Sequence, residues 1–149
     1  MADKSIFSNL IQVGVVVKDM DKAIERLTSL GIGPFQPKIL PSGTQEWFRG
    51  KPFTGKASIK AALMGDVELE LVQPIAGESP QSEFMASKGE GFQHIAFAVE
   101  DLDQAIEQLT KQGVEVLLRA KRPGGGGVAY LDLGVADIIV ELVQRKSRA

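Results

Sequence analysis

His94 is the one histidine in a chain of 149 residues that has no cysteine. Without Cys there is no disulfide, no thiolate metal ligand and no Cys nucleophile. With one His, no pair of imidazoles can grip a metal, and a Ser-His-Asp relay would have to run through His94. An isolated His is more often a satisfied structural residue than a ligand, so His94 needs independent support. Gln12, Glu70 and Glu141 supply it. An imidazole, two carboxylates and an amide oxygen suit one borderline or hard divalent ion, such as zinc, cobalt, nickel, manganese or ferrous iron. Four protein ligands leave coordination positions open to water or substrate.

An internal repeat makes these four residues a set. Residues 12–32, QVGVVVKDMDKAIERLTSLGI, align without a gap on residues 94–114, HIAFAVEDLDQAIEQLTKQGV. The pairs Val17/Val99, Asp19/Asp101, Asp21/Asp103, Ala23/Ala105, Ile24/Ile106, Glu25/Glu107, Leu27/Leu109, Thr28/Thr110 and Gly31/Gly113 are identical. Each half ends alike: Glu70-Leu-Val-Gln matches Glu141-Leu-Val-Gln. Gln12 and His94 therefore open equivalent segments, and Glu70 and Glu141 close them. The first copy carries an insertion of about ten residues, placed at Arg49 to Lys56 by Gly50, Pro52 and Gly55.

The elements that position these residues follow from local pattern. Val13 to Val17 and Ile95 to Val99 are short β-branched and aromatic runs that predict strands. Asp19 and Asp101 are helix N-caps. Ile24, Leu27 and Leu30 recur at helical spacing, as do Ile106 and Leu109. Gly31 and Gly113 fit the helix stops. Further strands are predicted near 36–40, 44–48, 57–64 and 67–73, and in the second copy at 114–118, 128–133 and 137–144. A linking helix is predicted over 80–88, within a hinge spanning about 74–91. The fold class is α+β, one domain over residues 1–149 built of two βαβββ repeats, about 8–75 and 91–145. Their curved mixed sheet surrounds a cleft in which repeat-equivalent residues meet about a pseudo-twofold axis. Glu68 and Glu70 share one strand face, which therefore carries two carboxylates.

Composition narrows the partners. A net charge of −2 points to neither a nucleic acid nor a membrane surface, and a hydrophobic share of 44% is enough for a core. No apolar run approaches the roughly 18 residues of a membrane span, and the polar residues 1–5 do not resemble a secretory signal. These features favour the cytoplasm as the expected location. Pro123 and the glycines from Gly124 to Gly127 form a loop without the Lys-Ser/Thr ending of a phosphate-binding P-loop. Arg119, Lys121 and Arg122 read as a solvated basic strand end, although they could hold a phosphate or carboxylate. Trp47 and Phe48 fit a core or interface position better than a cleft lining.

The chain resembles the vicinal oxygen chelate superfamily, the glyoxalase and bleomycin-resistance fold, over about residues 8–145. That resemblance implies paired βαβββ modules whose strand-borne ligands hold a divalent metal, here Gln12, Glu70, His94 and Glu141, and it implies a homodimer. Within the superfamily, Glu70-Leu-Val-Gln-Pro, Glu78-Ser-Pro, Phe84 and Gly89-Glu-Gly-Phe-Gln-His-Ile-Ala-Phe are similar to the methylmalonyl-CoA epimerases. Those enzymes usually carry His at the position of Gln12 and a second catalytic carboxylate upstream of Glu70, for which Glu46 is the nearby candidate. The set Gln, Glu, His, Glu is instead that of some glyoxalase I enzymes.

Both resemblances imply removal of a proton from carbon beside a carbonyl, on an acyl-CoA or another small α-acidic carbonyl compound. A Lewis-acidic metal would take up the enolate charge, and a carboxylate would act as base, Glu141 first and Glu70 next. The expected function is a metal-dependent epimerase, with a glyoxalase I-like lyase as the alternative. A small-molecule binding or resistance protein of the same fold is a third reading, but such proteins tend to lack the ligand set. A ferrous extradiol-type oxygenase would need two histidines and one carboxylate, which this chain does not have.

Overall fold

A computed structural model describes residues 5–145. It has the α+β class expected from the sequence, with ten strands in parallel and antiparallel pairing and three helices. The chain divides into two compact units. One comprises Gln12–Leu40 and Phe53–His94; the other comprises the chain up to Ile11, Pro41–Pro52 and the chain from Ile95 onward. Among the described residues no helix is long and apolar enough to cross a membrane.

The first of these units holds the bulk of β1 (Leu10–Val16), α1 (Met20–Ser29), β2 (Gln36–Pro37), β5 (Lys56–Met64), β6 (Val67–Ala76) and α2 (Pro80–Lys88). Its strands lie in the order β2-β5-β6-β1. β1 runs parallel to β6, with Gln12 opposite Glu68 and Gly14 opposite Glu70, and β5 runs antiparallel to β6. Residues of a strand alternate between faces, so Leu69 and Leu71 point together away from Glu68 and Glu70. Val17, Met20, Leu69 and Leu71 form the unit's core, and Ala23, Ile24 and Leu27 of α1 pack on it. Both helix starts are capped: Asp19 accepts from the Lys22 amide, and Ser79 and Ser82 form a reciprocal capping box around Pro80.

The second unit repeats this plan. β7 (Gly91–Ala98) enters it at Ile95 and leads to α3 (Leu102–Thr110), β8 (Glu115–Lys121), β9 (Gly127–Asp132) and β10 (Ile139–Gln144). Phe97, Leu102, Ala105, Leu109, Leu131, Val140 and Leu142 form its core, so α3 covers the same face of β10 that α1 covers on β6. The equivalence reaches single hydrogen bonds. Gln73 Oε1 accepts from the Met20 amide, and Gln144 Oε1 accepts from the Leu102 amide, each at the first turn of its helix. Val17 N donates to Val72 O, and Val99 N donates to Val143 O. Gly31 and Gly113 end the helices at φ 98° and 85°, a region where Gly carries no Cβ penalty.

Repeat one differs from the expectation at its insertion. The residues near 44–48 form β3 (Gln45–Phe48), which pairs with β8 of the second unit rather than with strands of its own copy. The predicted loop at 49–56 contains β4 (Lys51–Pro52), joined to β3 by a tight turn in which Arg49 and Gly50 adopt φ 51° and 79°. The insertion is thus a hairpin that extends the order β7-β10-β9-β8 by β3-β4. The strand near 36–40 shrinks to Gln36–Pro37, because Pro41 and the turn that follows it interrupt pairing. The predicted hinge at 74–91 is largely regular: β6 runs to Ala76, and the linking helix occurs as predicted at Pro80–Lys88.

Candidate metal site

Gln12, Gly14, Glu68 and Glu70 project from one face of the β1-β6 pair, opposite the face that packs on α1. His94 reaches the same face from β7 and lays its imidazole over Gly14. A Cβ at position 14 would overlap the Cε1, Nδ1 and Nε2 atoms of the ring. The repeat equivalent, Ala96, is fully buried with its Cβ, so the glycine belongs to the copy that receives the histidine. Gly inside a strand is a signal of close approach, and the sequence reading passed over it.

Three donor atoms then converge. His94 Nε2 lies 2.8 Å from Gln12 Oε1 and 3.5 Å from Glu70 Oε1. Two atoms bound to one ion at about 2.1 Å stand about 3.0 Å apart at a right angle and about 3.4 Å apart in a tetrahedron, so these spacings fit ligands of one divalent metal. All three side chains are more than nine-tenths buried. Buried polar groups of this kind need partners, and each ligand's second polar atom has one. Gln12 Nε2 donates to Glu68 Oε1 at 2.8 Å and to Glu70 Oε2 at 3.0 Å, leaving the amide oxygen towards His94.

Lys38, which the sequence reading did not single out, closes this network. Its Nζ donates to Glu68 Oε1 at 2.6 Å and to Glu70 Oε2 at 3.2 Å. Burial alone would lower the pKa of this ammonium, but the charges of Glu70 and Glu68 and the hydrogen bonds to both outweigh it and hold the pKa above the ordinary lysine value. With Oε2 of Glu70 engaged by two donors, Oε1 is the oxygen presented beside His94. No local sequence signal marks Lys38, because its role depends on a contact thirty residues along the chain with strand β6.

Glu141 lies in the other unit, on β10 opposite Tyr130 of β9, and is itself buried. Its neighbours Val140 and Leu142 point into the α3 core, so Glu141 relates to α3 as Glu70 relates to α1. Glu46 lies on β3 opposite Ala120, and burial pushes its carboxyl above the usual range. It shares the face of Glu141, but β8 and β9 intervene, which at about 4.8 Å per strand puts it on the order of 14 Å away along the sheet. The other singled-out residues have structural partners. Arg119 bonds Asp103 and two backbone carbonyls, Lys121 lies over the Trp47 ring at 5.8 Å, and Phe48 is buried. Gly124 to Gly127 make the turn between β8 and β9.

Comparison with known proteins gives the family. The uncharacterized protein YqjC of Bacillus subtilis is 32% identical over 94 residues, covering 61% of this chain and 67% of YqjC. The mitochondrial methylmalonyl-CoA epimerase of Bos taurus is 25% identical over 140 residues, covering 91% of this chain and 73% of that enzyme. A Streptomyces coelicolor methylmalonyl-CoA epimerase variant, solved in complex with 2-nitronate-propionyl-CoA, superposes with a TM-score of 0.70 at 20% identity, covering 95% of this chain and 99% of its own. The family model for the Glyoxalase/Bleomycin resistance protein/Dioxygenase superfamily matches residues 11–131, and the chain belongs to that superfamily.

Proposed function

We propose that the protein is a divalent-metal-dependent isomerase that moves a proton on carbon beside a carbonyl, with an acyl-CoA thioester of the methylmalonyl-CoA type as substrate. The observation that carries this reading is the convergence of Gln12 Oε1, Glu70 Oε1 and His94 Nε2 at ligand spacing on a buried face. Glu141 is the proposed fourth ligand, by its repeat equivalence to Glu70 and its burial among the inward residues of β10. Zinc, cobalt, nickel and manganese all suit such a set. When bound, the ion would polarise the substrate carbonyl and stabilise negative charge on its oxygen. Gln12, Glu70 and His94 would hold it. Glu141 is the proposed base, with Glu70 second, because epimerisation needs proton transfer at both faces of one carbon and the repeat supplies two related carboxylates. The bovine and Streptomyces relatives named above support an acyl-CoA substrate, and a cytoplasmic homodimer is the proposed setting.

The test follows one epimer of methylmalonyl-CoA by NMR in deuterium oxide, using metal-loaded protein. Exchange of the α-proton that Glu141→Gln abolishes is the expected result. Absence of exchange, with turnover of the methylglyoxal–glutathione hemithioacetal, would instead establish a glyoxalase I-like lyase. That second reading is favoured by Gln12 in place of His.

A further inference from the structure

His94 is held through both of its ring nitrogens, and the partner of the second one is a residue that no motif points to. Gln93 precedes His94 on β7 and, like it, is more than nine-tenths buried. Its Oε1 lies 2.6 Å from His94 Nδ1. The same oxygen accepts from Gln81 Nε2 at 3.3 Å, and Gln81 is also more than nine-tenths buried. An amide nitrogen only donates, so Gln81 fixes which end of the Gln93 amide faces the imidazole. Gln81 is itself fixed, since it lies in the first turn of α2, where Pro80 and the Ser79–Ser82 capping box set the backbone.

Successive residues on a regular strand point to opposite faces, and a bond between the side chains of adjacent residues is therefore not what β7 would provide by default. Gly91, at φ 144°, begins the strand. The cost of burying two primary amides beside an imidazole is offset only if their hydrogen-bonding groups are used. Gln81 uses its amide nitrogen on Gln93, and Gln93 uses its amide oxygen on Gln81 and His94.

We propose that Gln93, oriented by Gln81, is a positioning residue that holds the Nδ1 proton of His94 and so leaves the Nε2 lone pair to an ion shared with Gln12 and Glu70. The proposal rests on the reading of this cluster as a metal site, because without an ion Nε2 also faces an oxygen acceptor, Gln12 Oε1 at 2.8 Å. The acceptor is a neutral amide. It sets the direction of the ring without adding a negative charge beside the ligand set, where Glu68 and Glu70 already contribute two carboxylates countered by Lys38. Outer partners of this kind are commonly worth about 10- to 100-fold in metal affinity.

The single histidine makes the test direct, because every imidazole nitrogen signal in the spectrum belongs to His94. Protein labelled with 15N at histidine would be recorded by two-bond proton–nitrogen correlation, first without metal and then with zinc. The expected zinc-bound spectrum has a protonated Nδ1 and an Nε2 signal moved by the ion. Gln93→Leu should raise the share of the Nε2–H form without metal and weaken zinc affinity about 10- to 100-fold, with the circular dichroism spectrum unchanged. Gln93→Glu, which keeps an acceptor at Nδ1, should restore both the tautomer and the affinity. Should Gln93→Leu fail to fold, Gln81→Leu, which releases the Gln93 amide, takes its place with the same two readouts and smaller changes. A zinc-bound ring with no proton on Nδ1, or a folded leucine variant with unchanged tautomer and zinc affinity, would overturn the proposal. A wild type that binds no zinc, cobalt, nickel or manganese would remove the metal reading and the proposal with it, whereas a wild type that binds zinc only as tightly as the leucine variant would remove the proposal alone.

Discussion

At Gly14 the absence of a side chain is what the site requires. The imidazole of His94 fills the volume a Cβ would take, and the strand opposite carries Glu70. Gly14→Ala must therefore displace either the ring or the β1 backbone. Overpacking of this kind typically costs about 1–3 kcal/mol, and here it also moves Nε2 away from Gln12 Oε1. The expected outcome is a protein that folds with a lowered melting temperature and has lost most of its affinity for zinc or cobalt, measured by calorimetric titration. A variant that binds as tightly as wild type would show that His94 does not need its present place. The control is the equivalent position of the other copy, where Ala96 is accommodated with no exposure at all.

Elements in this protein are anchored by side chains that the repeat duplicates. Asp19 and Asp101 cap α1 and α3, and Gln73 and Gln144 reach from the ends of β6 and β10 to the first amide of the same helices. Each glutamine thus ties the strand that bears a candidate ligand to the helix packed behind it. Gln73→Ala and Gln144→Ala remove one part-buried bond each, and a loss of about 1 kcal/mol apiece is expected. Denaturant melts of the two single variants and the double should give nearly additive losses, because the bonds lie in separate units. Strong non-additivity would mean that the two anchors act on one cooperative element.

For the whole molecule, ligand and proton linkage give two outcomes. A metal that binds only the folded chain stabilises it by about 2.7 kcal/mol at a concentration 100 times its dissociation constant. Cobalt or zinc should therefore raise the melting temperature of the wild type and leave His94→Ala unmoved; equal shifts in the two would place the ion elsewhere. Glu46 supplies the proton linkage. Burial raises its folded pKa above the ordinary 4.5, so the folded state binds this proton more tightly than the unfolded chain does. The group's contribution is then fully present below the unfolded value and is lost as pH rises through the folded one. Glu46→Gln should be more stable than wild type at neutral pH, and the gap should close as the pH falls below about 4.5. Thermal melts across that range decide it, and a gap that persists in acid would assign the effect to packing rather than charge.

The repeat was legible in the sequence because nine identities in gapless register fix strand, cap, helix and stop together. Period-two and helical patterns are local, so the helices at 80–88 and after Asp19 and Asp101 could be read directly, as could the sharing of a strand face by Glu68 and Glu70. The ligand candidates were legible for the same reason: equivalence under a repeat is a property of the chain. Contacts that join distant segments were not. Lys38 meets Glu70, and His94 lies over Gly14, only because β2 and β7 are brought to β1 and β6, and no residue pattern encodes which strands become neighbours. The fate of the insertion is the clearest case. Residues 44–48 read as a strand of the first copy and 49–56 as its insertion, yet β3 hydrogen-bonds to β8 and takes Glu46 with it. A strand edge is satisfied by any partner with free backbone donors and acceptors, so the choice of partner was decided by tertiary structure alone.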